Sequence, residues 1–222
     1  HPNYSTIDPQ TIYILSQNLD WFENIYTTNY DIFLYHIILA TMDRHRRDKT
    51  VKRFQDFFKP DGDILTFTDQ PLAGFRNVYY LHGALFLYNE NGLITKITRG
   101  SKTDELLDLV RLRIHLGNLP VFVSEGKSEQ KQAVISGNKY LNFCQEALRT
   151  SKSKTVVYGF SFSDSDDHLI TDLNRNKRKL AIGLYLHGLN NGKVLQKIKR
   201  IENKLYQCRS REIKLFDSST LF

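Results

Sequence analysis

The sequence predicts an α/β fold built on a mostly parallel sheet with helices on both faces. Three observations predict it. Short apolar runs rich in β-branched and aromatic residues alternate with longer segments of helical periodicity, the order expected of strands joined by crossover helices. Four of the runs end in compact polar clusters, TTNYD, LHG, VSEG and GFSFSDSDD; ligands of open α/β sheets collect just past the carboxyl ends of strands. Finally, 222 residues, of which 41% are apolar and which include 14 Phe and 12 Tyr, can bury one sizeable core. The whole chain, 1–222, is read as a single domain.

The elements follow in order. Residues 9–23 place Ile12, Leu15, Leu19 and Phe22 at helical spacing. NIYTT reads as a short strand, and DIFLYHIILATMDR as a helix beginning near Asp31. The stretch DRHRRDKTVKR carries six basic side chains besides His45 and reads as a solvated helix end or loop, with a phosphate-contacting patch as the other reading. KPDGD signals a turn. Val78–Leu81 forms a strand running into His82-Gly83, and YNENGLITKIT forms a hairpin turning at ENG. Residues 103–117 carry a leucine-rich helix and Val121–Val123 a strand. KYLNFCQEALRTS is an amphipathic helix whose inner side holds Tyr140, Phe143 and Cys144. KTVVYGFSFSDSDDHLITDLN repeats the order strand, polar loop, helix. KLAIGLYLHG is one more strand, and a helix from NGKVLQKIKR onward closes the chain.

Composition narrows the function classes. A net charge of +7 suits an acidic ligand, but it is also an ordinary surface value, and nucleic acid is not expected as a partner. No apolar run reaches membrane-spanning length and no signal peptide opens the chain. Two cysteines, Cys144 and Cys208, are too few for a disulfide framework or a four-thiolate zinc site, which points to a cytoplasmic protein without a metal centre. The phosphate-cradling, dinucleotide, nucleophile-elbow and zinc-peptidase motifs are all absent from the sequence.

The polar clusters supply the candidate site. A neutral imidazole at His82 can take a proton from water or a sugar hydroxyl. Gly83 lets backbone approach a ligand. Asn29 can donate to and accept from a water or ribose hydroxyl. Asp31 either accepts from a ligand amide or caps the following helix. Thr27 and Thr28 suit a strand end and can bond locally. Gly159 and Ser161 end a strand where ribose or phosphate would sit. Ser163, Asp164 and Ser165 read as capping residues, with Asp167 and His168 in the first helical turn. His168 reads as structural or exposed, and Glu125, Lys127 and Lys131 as solvated loop residues.

In that order these motifs resemble the SIR2-like superfamily, specifically its bacterial NAD-hydrolase and uncharacterised branches and not its zinc-containing protein deacylases. The resemblance spans roughly residues 20–190 and implies a Rossmann-like, SIR2-like fold. Thr27, Thr28, Asn29, Tyr30 and Asp31 stand where the deacylases have a threonine-glutamine-asparagine-isoleucine-aspartate run, and His82 stands where the family has its catalytic histidine. Gly159, Ser161 and Asp167 match positions near the adenine ribose and phosphates. The resemblance implies an NAD glycohydrolase releasing nicotinamide and ADP-ribose, with no metal. His82 would be the general base, Asn29 the residue that positions the attacking water, and Asp31 the residue at the nicotinamide end. It further implies anti-phage defence, a homo-oligomer and a phage-derived or other protein activator. Residues 84–120 would be an insertion in place of the zinc module. The family's N-terminal glycine-rich segment has no counterpart before Asn29, and the chain opens without methionine, so a longer parent protein is expected. The alternative is a non-catalytic module that binds NAD or a nucleotide derivative.

Overall fold

The computed structural model describes residues 8–49, 53–97, 104–124, 126–176, 178–206 and 212–220. Glu125, Cys208, the first seven residues and the end of the basic stretch at 50–52 lie outside the described residues. The chain divides into two compact units, His1–Val123 with Asn138–Cys144, and Ser124–Gly137 with Gln145–Phe222.

In the first unit, α1 (Pro9–Asn18) starts with Asp8, whose carboxylate accepts from Thr11 N–H, and with Pro9 at the first helical position, where no amide partner is lost. Strand β1 (Asn24–Thr27) follows, then α2 (Phe33–Arg47) and β2 (Arg53–Gln55). β1, β2 and β5 (Phe75–Tyr80) form a parallel sheet in the order β1-β5-β2, with Thr27 beside Tyr80. Part of the basic stretch turns inward. Asp20 takes Arg44 at 2.5 Å and the buried His45 at 2.7 Å, which ties the end of the α1 segment to the end of α2. Burial raises the Asp20 pKa, but Arg44 and His45 outweigh it and hold the carboxyl below its usual range.

The expectation of a mostly parallel sheet fails over residues 58–122. Strands β3 (Phe58–Asp61), β4 (Ile64–Phe67), β6 (Gly83–Glu90), β7 (Leu93–Lys96) and β8 (Pro120–Phe122) form an antiparallel sheet in the order β3-β4-β7-β6-β8. The reason is turn chemistry. Gly62, at φ 60°, opens a two-residue turn between Asp61 and Ile64. Asn91 and Gly92, at φ 53° and 85°, make the doubly left-handed turn that matches strand twist in a tight hairpin. Residues 84–120 accordingly contribute β6, β7, α3 (Asp104–His115) and the start of β8. The core is aromatic: the Phe57 ring lies 5.1 Å from Tyr79 and 4.7 Å from Phe143, and Tyr140 lies 5.2 Å from Phe67. Each such pair contributes ~0.5–1.5 kcal/mol beyond its area. Lys96 is buried in a bond to Asp56, with its ammonium 4.5 Å from the centre of the Tyr35 ring.

The second unit holds α4 (Ser128–Ser136), the later part of α5 (Lys139–Thr150), β9 (Thr155–Val157), α6 (Asp167–Asn174), β10 (Leu180–Leu184), α7 (Asn191–Tyr206) and β11 (Ile213–Asp217). Its three strands are parallel in the order β11-β10-β9, joined through α6 and α7. Here the alternating pattern does give strand, helix, parallel strand. The architecture as a whole is α/β, with helices flanking several sheets. Among the described residues no helix is long and apolar enough to cross a membrane.

Gly83 opens β6 at φ 77°, and a Cβ there would lie on the Val121 carbonyl and 2.9 Å from Phe122 Cα. Gly83→Ala is expected to lose at least about 2 kcal/mol, from left-handed strain plus displaced backbone. Gly92→Ala meets open space at φ 85° and carries the strain term alone. Urea midpoints for the two variants check this: equal losses would show that the β6–β8 approach is not tight.

Candidate functional site

Parallel pairing of β1 with β5 sets TTNYD beside LHG. Leu81 N–H donates to Thr27 O at 2.8 Å, and Leu85 N–H donates to Tyr30 O at 2.8 Å. The side chains in this region have local tasks. Thr27 Oγ1 accepts from Asn29 N–H at 3.0 Å, and Asp31 Oδ1 accepts from Phe33 N–H at 2.8 Å, capping α2. Thr28 is half-buried and Asn29 exposed. His82 is buried, and its carbonyl accepts from Val123 N–H at 2.9 Å. Gly159, Ser161 and Asp167 belong to the second unit.

In the second unit the loop leaving β9 is built around one buried ring. Gly159 has φ 66° and Phe162 has φ 53°; Phe162 is fully buried and packs edge-on against Phe160 at 4.9 Å. Anchoring Phe162 inward leaves Ser161 exposed and Ser163 half-buried on the flanks. Ser163 Oγ lies 2.7 Å from Ser165 Oγ and donates to Asp166 at 3.1 Å. Lys131 donates to Asp166 at 2.8 Å, with its side chain only 13% exposed. Lys131 is therefore a buried partner and not the solvated loop residue expected from the sequence.

The capping expected of residues 163–165 is supplied from elsewhere. Ser128, the first residue of α4, accepts from His168 N–H at 2.9 Å and lies 3.1 Å from His168 Nδ1. Ser128 Oγ and His168 Nδ1 share a hydrogen bond whose direction follows the imidazole tautomer. Burial pushes the His168 pKa down, and that effect outweighs the nearby carboxylates. Asp166 and His168 bring a carboxylate oxygen and an imidazole nitrogen within 4.8 Å of each other, two atoms of the type that bind divalent metals. The sequence signal for this cluster was Ser128 and Lys131, three residues apart and so on one face of a helix.

Within the second unit a groove of about 810 Å³ opens between α6 and α7. Asp164, Asp167 and Thr171 line it together with Lys199, Arg200 and Lys204. Lys204 binds Asp164 at 2.6 Å and Asp167 at 2.5 Å. α7 was read from sequence only as a closing helix. Its Lys193, Lys197, Arg200 and Lys204, spaced four, three and four residues apart, were the signal for a functional face.

The depressed pKa of His168 makes stability pH-dependent. The unfolded chain binds a proton at this residue near pH ~6.5, whereas the native state does not. The contribution is present above pH ~6.5 and is lost as pH falls toward the native pKa. His168→Gln is expected to flatten the fall in urea stability between pH ~7 and ~5, and a variant with the wild-type slope would refute this. Ser128→Ala is expected to cost about 1 kcal/mol through the lost cap. Asp31→Ala is expected to cost a similar amount at α2.

No curated protein matches the chain. A family model does match it, over residues 1–221, and that family is unrelated to the sirtuin clan. This overturns the SIR2-like resemblance: the matched motifs are short, and strand ends with threonine, asparagine, histidine and glycine arise from turn and cap chemistry alone. The NAD glycohydrolase activity, NAD as substrate, the anti-phage role, and the duties of His82, Asn29 and Asp31 at nicotinamide rested on that resemblance and fall with it. The expectation of a metal-free site came from the cysteine count and from the same mechanism, and the Asp166–His168 pair stands against it. The chain belongs to the family described as Domain of unknown function (DUF4917).

Proposed function

We propose that the protein is a binding module whose second unit takes a phosphorylated small molecule of the nucleotide class in the α6–α7 groove. The observation that carries this reading is the pairing of cations with fixed carboxylates around one opening. Its volume, about 810 Å³, falls in the range of ligand pockets. Lys199 and Arg200 offer charge-assisted donors to phosphate, and the guanidinium can do so with two parallel bonds. Asp164 and Asp167 are held by Lys204 and can accept from sugar hydroxyls. Gln196 and Asn203 can both donate and accept, as a base edge requires. Of the residues singled out from the sequence, Asp167 lines the groove, while Gly159 and Ser161 lie upstream on the loop that delivers Asp164.

Titration calorimetry with ADP, AMP and inorganic pyrophosphate tests the reading. ADP is expected to bind at one site per chain, and Arg200→Glu to weaken it at least ~10-fold with the melting temperature unchanged. Asp167→Asn is expected to weaken ADP more than pyrophosphate, because only ADP presents sugar hydroxyls. Failure of both ADP and pyrophosphate to bind, or wild-type affinity in Arg200→Glu, would overturn the proposal.

A further inference from the structure

The α6–α7 groove continues into a longer charged and aromatic surface of the second unit. On α7, Lys193, Lys197, Arg200 and Lys204 recur at four, three and four residues, which confines them to a stripe about 60° wide and about 16 Å long. Lys193, Lys197, Lys199 and Arg200 are exposed. Lys204 is neutralised by Asp164 and Asp167, which leaves the other cations for a ligand. The Asp164–Arg200 approach, at 3.9 Å with Asp164 82% exposed, is weak in water.

Exposed aromatic residues occur in the same unit. Tyr185, in the segment leaving β10, is 59% exposed, and its carbonyl accepts from Lys197 Nζ at 3.4 Å, so the ring's loop is tied to the stripe. His187 follows with its ring 6.1 Å from that of Tyr185. Tyr158 leaves the adjacent strand β9 and is 50% exposed; β9 and β10 run parallel with Val157 beside Ile182. Two exposed tyrosines thus stand at the carboxyl ends of neighbouring strands.

We infer that this surface binds single-stranded nucleic acid, with phosphates along Lys193, Lys197 and Arg200 and bases stacked on Tyr185 and Tyr158. The inference rests on the groove reading for its phosphate contact at Arg200, and extends it from one nucleotide to a strand. Cations that track a backbone, with aromatic faces for successive bases, are what sequence-tolerant strand binding requires. The rings select single strands because the bases of a duplex are already stacked on one another. The sequence led us to expect no nucleic-acid partner. That expectation weighed net charge alone and not the positions of the charges.

Fluorescence anisotropy on the full chain, with labelled oligouridine and oligodeoxythymidine of about 15 nucleotides and a duplex of equal length, tests the inference. Both single strands are expected to bind, and the duplex at least ~10-fold more weakly. The plot of log affinity against log salt is expected to have a slope of about −2, from three phosphate contacts at ~0.7 each. Lys197→Gln is expected to flatten the slope by ~0.7. Tyr185→Ala is expected to weaken both strands about 10-fold at unchanged slope, while ADP binding and the melting temperature stay as in wild type. Binding of ADP without binding of either strand overturns this inference and leaves the groove reading intact, whereas binding of neither overturns both. Equal affinity for duplex and single strand, or wild-type strand binding in both variants, also overturns it.

Discussion

Three carboxylates, Asp164, Asp166 and Asp167, fall within four consecutive residues, and cations from two other helices meet them. Lys131 meets Asp166 from α4, and Lys204 meets Asp164 and Asp167 from α7. Lys131 and Asp166 are both largely withdrawn from water, so that pair is worth more than a surface ion pair and is more costly to break on one side, whereas Lys204 pairs with an exposed Asp164 and a half-buried Asp167. The consequences run through the second unit. The first pair brings Ser128 to the amide end of α6, where it supplies the cap. The second fixes the α6–α7 groove and takes Lys204 out of the cations available to a ligand.

The first unit follows the same rule with deeper burial. Lys96 and Asp56 form a pair among aromatic rings, and Asp20 gathers Arg44 and His45 at the junction of two helices. Nearby, the buried hydroxyls of Tyr80 and Tyr140 have their pKa values raised by lost hydration. Such arrangements tolerate exchange of an apolar neighbour better than removal of one charge, because the orphaned partner then bears the full desolvation cost. TTNYD is legible in the same terms: the Thr27 and Asp31 side chains serve the turn and the start of α2, while main-chain bonds hold TTNYD and LHG together.

What the sequence disclosed depended on how local each feature is. The helical period of KYLNFCQEALRT gave α5, because its buried face is written within twelve residues. Asp31 could be weighed as a cap because cap and amide are two residues apart. KPDGD was legible as a turn, but its first flank, Phe58–Asp61, contains lysine, proline and aspartate and is a strand only because β4 pairs with it. The β6–β7 hairpin was legible at ENG, but the wider antiparallel sheet around it was hidden. Lys131 and Asp166 are separated by 35 residues, and Ser128 and His168 by 40, distances over which composition carries no pairing information. α7 was read only as a closing helix, although one of its faces carries a more specific pattern of cations.

Phe162 combines two properties that oppose each other. Its backbone lies in the left-handed region, where a side chain with a Cβ costs roughly 1–2 kcal/mol, and its ring is wholly withdrawn from water, which contributes about 1.5–3 kcal/mol. Burial of the ring therefore offsets the cost of the left-handed backbone, and a side chain too small to fill the Phe162 socket is left with that cost unmet.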